Sequence, residues 1–167
     1  RRARFDLARA NPVGALRLLR GHPELLGLAA ASFLYNLGHT VFPSVFVLWA
    51  GYVLHWEARE VGFALALVGV ANVLVQGGLV RPLVKRIGER RATAIGAVFG
   101  STGFLLYGLA AHEPLFWIGA AVYAPAGFFN PSLLGLISQR AGASEQGRVQ
   151  GANASIMGIA GMLGPGL

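Results

Sequence analysis

The sequence has no cysteine and few charged residues. Asp, Glu, Lys and Arg make up 13% of the 167 residues, and only seven residues are acidic. The absence of cysteine excludes a secreted scaffold held by disulfides, and an apolar content of 54% excludes a disordered chain. There is no basic stripe interleaved with aromatic residues, so the net charge of +7 does not indicate nucleic acid as a partner.

The sequence also lacks the motifs of enzyme and metal sites. It contains no nucleophile constellation, no phosphate-binding glycine loop and no cluster of metal ligands at helical spacing. We therefore expect no enzyme activity, no cofactor and no metal site.

Five long stretches contain no Asp, Glu, Lys or Arg, and together they hold 116 of the 167 residues. A helix needs roughly 20 apolar residues to cross a bilayer, and these stretches fit that length. They predict an all-α membrane protein embedded in the lipid bilayer. Residues 1–23 form a cytoplasmic linker with a short amphipathic helix, and residues 24–167 form five transmembrane helices, with predicted spans at 24–54, 60–81, 91–112, 114–139 and 148–167.

The basic residues are distributed unevenly between the two sides of the membrane. If the five stretches cross in turn, 13 of the 14 Lys and Arg residues fall on one side, and Arg59 alone falls on the other. Cytoplasmic loops carry an excess of Lys and Arg. The distribution therefore predicts a cytoplasmic N-terminus. The chain begins with Arg and ends inside an apolar stretch, so we expect it to be part of a longer protein.

Three segments carry motifs of a known family. The first motif consists of Gly78, Arg81, Pro82, Lys85, Gly88, Arg90 and Arg91, between the second and third spans. The second is a polar turn before the fifth span, with Glu145, Gln146, Gly147, Arg148, Gln150 and Gly151. The third is a Gly-Pro motif with Gly161, Gly164 and Pro165. Glycine permits close packing in such motifs, and the cations hold a loop on the cytoplasmic side.

In this order and spacing, the three motifs resemble the major facilitator superfamily, in particular its drug and tetracycline-type proton antiporters. The resemblance implies helices seven to eleven of a twelve-helix fold in the bacterial inner membrane. The implied partners are the missing N-terminal half, protons and a small-molecule substrate. The implied function is secondary active transport, with proton-coupled efflux of small amphipathic compounds or drugs by alternating access.

Two positions depart from the family pattern. Gly100 and Asn72 stand where tetracycline antiporters of the closest type carry an acid and a histidine. The resemblance therefore leaves the substrate open. The alternative function is a non-transporting membrane scaffold, or a half-size subunit that pairs with another membrane protein.

Polar residues inside the apolar stretches are the candidates for a substrate cavity. His39 is the one ionisable side chain deep in a stretch, and Tyr35, Asn36 and Thr40 lie within one helical turn of it. Asn72 and Gln76 share one helix face, while Asn130 and Asn153 are isolated. Hydrogen bonding between helices is the alternative role for all of them. We interpret Tyr123, Phe128 and Phe129 as core or lipid contacts.

Overall fold

The computed structural model describes residues 23–140 and 146–166, and all regular structure in these residues is helical. The α-helices are α1 (Pro23–Val53), α2 (Ala58–Leu74), α3 (Val80–Ile87), α4 (Glu89–Leu109), α5 (Glu113–Tyr123), α6 (Phe129–Arg140) and α7 (Gln146–Leu163). The π segment (Val75–Leu79) joins α2 to α3, and the 3₁₀ segment (Ala124–Phe128) joins α5 to α6. A short 3₁₀ turn, Gly164–Gly166, follows α7. The predicted all-α fold is confirmed.

Four helical segments are long and apolar enough to cross a membrane. We call them the first to fourth spans: Leu26–Val53, Ala58–Ile87, Glu89–Leu109 and Glu113–Gln139. The predicted fifth span corresponds to α7, whose 18 residues include Gln146, Arg148, Gln150 and Asn153 and are less apolar than the other four. The linker with an amphipathic helix is predicted at residues 1–23, of which residues 1–22 lie outside the described residues, as does the motif residue Glu145; Pro23 begins α1.

Many large apolar side chains lie on the surface of these helices. Leu48, Val73 and Met162 are 78%, 71% and 84% exposed, respectively. Water would disfavour so much exposed apolar surface, whereas lipid chains accommodate it. The spans and this surface identify an integral membrane protein.

The chain divides into two compact units. The central unit is Phe42–Gly135, and the terminal unit comprises Arg1–Val41 with Leu136–Leu167. Each unit is described by itself below.

In the central unit, α4 packs through a face of small residues. The buried residues of α4 are Ala92, Gly96, Gly100, Gly103 and Tyr107, at helical spacing. A Cβ atom on Gly103 would lie 2.6 Å from Tyr123 Cβ, and one on Gly96 would lie 2.6 Å from the backbone nitrogen of Phe129. Glycine therefore sets how closely the third span approaches the fourth.

Aromatic side chains fill one end of the central unit. The ring of Phe116, which is 1% exposed, lies 5.6 Å from that of Phe46 and 5.0 Å from that of Trp56. The indole Nε1 of Trp56 donates a hydrogen bond to Glu113 Oε1 at 2.7 Å. This bond ties the connection after α1 to the start of α5. Tyr123, Phe128 and Phe129 are also buried in the central unit.

The connection between the second and third spans is a single residue. The predicted spans leave residues 82–90 as a loop, but the helix continues to Ile87, and α4 begins at Glu89. Gly88 separates the two helices at φ 81°, a conformation that glycine adopts without a steric cost. Its N–H donates to the Val84 carbonyl at 2.8 Å. Hydropathy marks where a chain leaves the membrane, not where its helix ends, and this explains the difference.

Candidate functional site

Two of the spans lose regular α-helix near their middle. The π segment interrupts the second span, and the 3₁₀ segment interrupts the fourth. Pro125 has no N–H to donate within the 3₁₀ segment, and Gly77 and Gly78 weaken helix in the π segment. The two segments contact each other inside the central unit. Interrupted helices in mid-membrane are typical of transporter binding sites, and π-bulges are frequent at functional sites.

The predicted amide pair lies at this junction. A Cβ atom on Gly127, in the 3₁₀ segment, would lie 3.6 Å from both Asn72 Oδ1 and Gln76 Cγ, and 3.0 Å from Val75 Cγ1. Gln76 is exposed, and Asn72 is half-buried. The structure therefore brings Asn72 and Gln76 together against the fourth span. Sequence reasoning gave no role to Gly127, whose lack of a side chain leaves room for the Val75 side chain between the two amides.

A small cavity of about 160 Å³ adjoins the amide pair between the second and fourth spans. Asn72 lines it, together with the rings of Trp117 and Tyr123 and several alanines. Pockets for drug-sized ligands occupy roughly 300 to 1,000 Å³. This cavity is therefore too small to enclose a drug-sized ligand by itself. Trp117 was not predicted at the site. Asn130 was predicted there, and it is exposed in α6 just beyond the 3₁₀ segment.

The polar residues of the first span lie in the terminal unit, where they contact α7. Ser32 Oγ donates a hydrogen bond to Asn153 Oδ1 at 3.0 Å, and Asn36 Nδ2 donates to the Ser32 carbonyl at 2.8 Å. Thr40 Oγ1 lies 3.2 Å from the Ala160 carbonyl. Thr40 and Asn153 therefore take part in the packing of α1 against α7, and Asn36 bonds within α1. A role of these three residues in a cavity stays a prediction. Sequence reasoning missed Ser32, although residues 32, 36 and 40 share one helix face.

The contacts between α1 and α7 show the relative direction of the two helices. Ser32 meets Asn153, and Thr40 meets Ala160, so the two helices are parallel. Gly164 of the predicted Gly-Pro motif packs against Thr40 so closely that a Cβ atom would collide with Thr40 Oγ1. Gly161 of the same motif faces open space, and Pro165 is exposed.

His39 lies on a different face of α1 from Asn36 and Thr40. Its side chain is exposed, and its ring centroid lies 6.4 Å from that of Tyr35. The predicted polar face therefore divides in two: Asn36 is buried and Thr40 half-buried on one side, and Tyr35 is half-buried and His39 exposed on the other. An ionisable side chain is costly in lipid, so such residues usually face a bundle interior or a water-filled cavity.

Two of the predicted loop-motif residues, Arg81 and Lys85, line a larger cavity of about 460 Å³, which we call the basic cavity. It is lined by Val80, Arg81, Val84, Lys85, Glu89, Pro131, Ser132 and Gly135. Gly78 lies in the π segment, and Pro82, Arg90 and Arg91 are exposed and do not line the cavity.

The described part of the polar-turn motif lies at the start of α7. Gln146 and Arg148 belong to its first turn, and Gly147, Gln150 and Gly151 are exposed. No group of His, Asp and Glu within residues 23–140 and 146–166 is arranged to hold a metal ion.

Apolar spans with interrupted helices define a polytopic α-helical membrane protein. The family model of the Major Facilitator Superfamily matches residues 1–165. The chain belongs to this superfamily.

Its relatives include resistance proteins of bacteria. The chain is 26% identical over 155 residues to the tetracycline resistance protein, class C, of Escherichia coli, which covers 93% of the chain and 39% of the relative. It is 30% identical over 141 residues to the class E protein of Escherichia coli, and this match covers 84% of the chain and 35% of that relative. It is 25% identical over 165 residues to Hippocampus abundant transcript-like protein 1 of Bos taurus, and this match covers 99% of the chain and 33% of that relative.

The chain thus spans well under half the length of these curated relatives. No solved structure matches it at a significant level.

Proposed function

We propose that the protein is a secondary active transporter that exports small amphipathic compounds, driven by protons. Membership of the superfamily and the similarity to tetracycline resistance proteins support this function. The observation that carries it is the junction of the π and 3₁₀ segments near the middle of the second and fourth spans, with Asn72 and Gln76 of the second span beside it. In this proposal the helices work with a further half of the transporter by alternating access, in a bacterial inner membrane.

The amide pair would recognise the polar groups of the substrate. Each side-chain amide offers two N–H donors and an acceptor oxygen, and the neighbouring cavity wall is apolar and aromatic. A compound with carbonyl or hydroxyl groups on an apolar ring system matches both features. Because a π segment and a 3₁₀ segment lack part of the regular α-helical bonding, they would also let the spans bend during alternating access.

His39 would carry the proton within these helices. The described spans contain no Asp or Glu away from their ends, and His39 is their one deeply placed histidine, a residue type that serves as a proton carrier. An exposed imidazole on a membrane helix is consistent with a water-filled pathway.

The amide pair provides the test of this proposal. Cells producing the intact natural protein are compared with cells producing Asn72→Ala with Gln76→Ala, for accumulation of a panel of amphipathic compounds that includes tetracycline. Removing two substrate hydrogen bonds costs about 1 kcal/mol each, so efflux of a transported compound should fall about tenfold or more. A proton ionophore should abolish the efflux that remains.

The matched control is Gln139→Ala, which removes an exposed amide at the end of the fourth span. It should leave efflux unchanged at equal protein levels in the membrane. If the natural protein lowers the accumulation of no compound, although it reaches the membrane, the transport proposal is wrong, and a non-transporting scaffold or subunit takes its place. An equal loss of efflux in the double variant and in Gln139→Ala would contradict the role of the amide pair in substrate recognition.

A further inference from the structure

The basic cavity combines cations with a buried hydroxyl that has no partner. Ser132 is 1% exposed, and its Oγ is the buried side-chain atom without a hydrogen bond in the described residues. Buried polar atoms in proteins are nearly always satisfied, so an unpartnered one that lines a cavity indicates a ligand. A serine hydroxyl can donate one hydrogen bond and accept two.

The charges around the hydroxyl favour an anion. Arg81 and Lys85 are exposed on the last two turns of α3 and line the same cavity, whereas Glu89 contributes one carboxylate. Two cations and one carboxylate leave a net charge of +1, which matches a singly charged phosphodiester. Guanidinium and ammonium groups form strong, charge-assisted hydrogen bonds to phosphate oxygens.

The remaining walls are apolar. Val80, Val84 and Pro131 line the cavity, which lies where the second, third and fourth spans meet at one end. Gly135 lets the Glu89 side chain approach, because a Cβ atom there would lie 2.9 Å from Glu89 Cγ. A group with a phosphate and an adjoining apolar part fits this lining.

We propose that the basic cavity binds a phosphate-bearing ligand, with Arg81 and Lys85 on the phosphate oxygens and Ser132 Oγ as a hydrogen-bond donor. A phospholipid headgroup and a soluble phosphate share this chemistry. The site is separate from the amide pair and does not depend on the proposed transport activity.

Binding to the delipidated natural protein in detergent tests the proposal, with native mass spectrometry as the readout. The probes are phosphatidylglycerol, diacylglycerol with the same chains, and inorganic phosphate. Phosphatidylglycerol should bind at one site at least about tenfold more tightly than diacylglycerol, which has no phosphate. Arg81→Gln with Lys85→Gln should weaken this binding about tenfold, and Ser132→Ala should weaken it about threefold.

The matched control is Arg90→Gln with Arg91→Gln, which removes two exposed cations outside the cavity. Its affinity for phosphatidylglycerol should stay within about twofold of that of the natural protein. The melting temperature of lipid-free Ser132→Ala should be unchanged or raised, which shows that this variant folds.

Competition assigns the source of the phosphate. If inorganic phosphate displaces phosphatidylglycerol, the site takes a soluble phosphate. If it does not, the site takes a lipid headgroup. Equal affinity for diacylglycerol and phosphatidylglycerol would overturn the proposal, since apolar contact alone would then explain the binding. An equal loss of affinity in the two double variants would also overturn it, since general attraction to the basic surface would then explain the binding.

Discussion

Polar residues inside the membrane spans serve two different purposes. Within the terminal unit, Ser32 donates a hydrogen bond to Asn153 and so joins α1 to α7, and Asn36 donates to the Ser32 carbonyl within α1. Asn72 and Gln76 lie instead at an irregular junction in the central unit, where Asn72 also lines a cavity. Residue type alone does not separate these purposes, because an amide can satisfy a neighbouring helix or a substrate equally well.

The bond between Ser32 and Asn153 should contribute measurably to stability. Ser32→Ala removes the donor to Asn153, and membrane hydrogen bonds between helices contribute about 0.6 kcal/mol on average and about 1.7 kcal/mol at most. We expect the free energy of unfolding to fall by an amount in this range, measured by denaturant titration of the purified protein.

Ser155→Ala is the control for this prediction. Ser155 Oγ donates to the Gly151 carbonyl at 3.0 Å within its own helix, so it joins no two helices. Its replacement should change the free energy of unfolding less than Ser32→Ala does. The reverse order would show that the contact between α1 and α7 does not stabilise the terminal unit.

At the scale of helices, glycine decides which elements pack closely. Gly96 and Gly103 bring α4 against the fourth span, whereas Gly108 on the same helix faces open space. Helices in lipid gain little from burying apolar area against each other, so van der Waals contact between close backbones provides much of their association. The small-residue face of α4 therefore fixes the position of the third span in the central unit.

Gly103→Ala should destabilise the protein, and Gly108→Ala should not. The added methyl group at residue 103 would lie 2.8 Å from the Tyr123 Cα atom, a backbone position that cannot move alone. Overpacking of this kind costs about 1 to 3 kcal/mol. At residue 108, alanine gains helix propensity without a collision.

Thermal unfolding in detergent distinguishes the two variants. The melting temperature should fall for Gly103→Ala and stay equal or rise for Gly108→Ala. A fall of the same size in both would mean that flexibility of α4, and not its close contact with the fourth span, requires the glycines.

At the scale of the whole molecule, the basic residues should determine orientation. The end of the second span and the start of the third carry Arg81, Lys85, Arg86, Arg90 and Arg91, whereas the connection between the first and second spans carries Arg59 with Glu57 and Glu60. Positive charge is retained on the cytoplasmic side. We therefore expect Gly88 to lie at the cytoplasmic end and His55 at the outer end of these spans.

Single cysteines can test this orientation, because the chain itself contains none. Ala58→Cys and Arg90→Cys each place one thiol at an exposed position. A membrane-impermeant maleimide should label Ala58→Cys in intact cells, and it should label Arg90→Cys only after permeabilisation. Labelling of Arg90→Cys in intact cells would invert the predicted topology.

The amino-acid sequence by itself determined the helical fold class and the approximate positions of four spans, and it pointed to Asn72 and Gln76 as a candidate pair. These properties follow from local composition and from helical spacing, since a bilayer selects apolar runs of sufficient length. Tertiary structure decided which faces meet. The pairing of Ser32 with Asn153, the junction of the π and 3₁₀ segments, and the enclosure of Ser132 all join residues from separate helices. Hydropathy could not reveal these contacts. Lipid is as apolar as a protein interior, so a helix face that packs against protein and one that faces lipid have similar hydropathy.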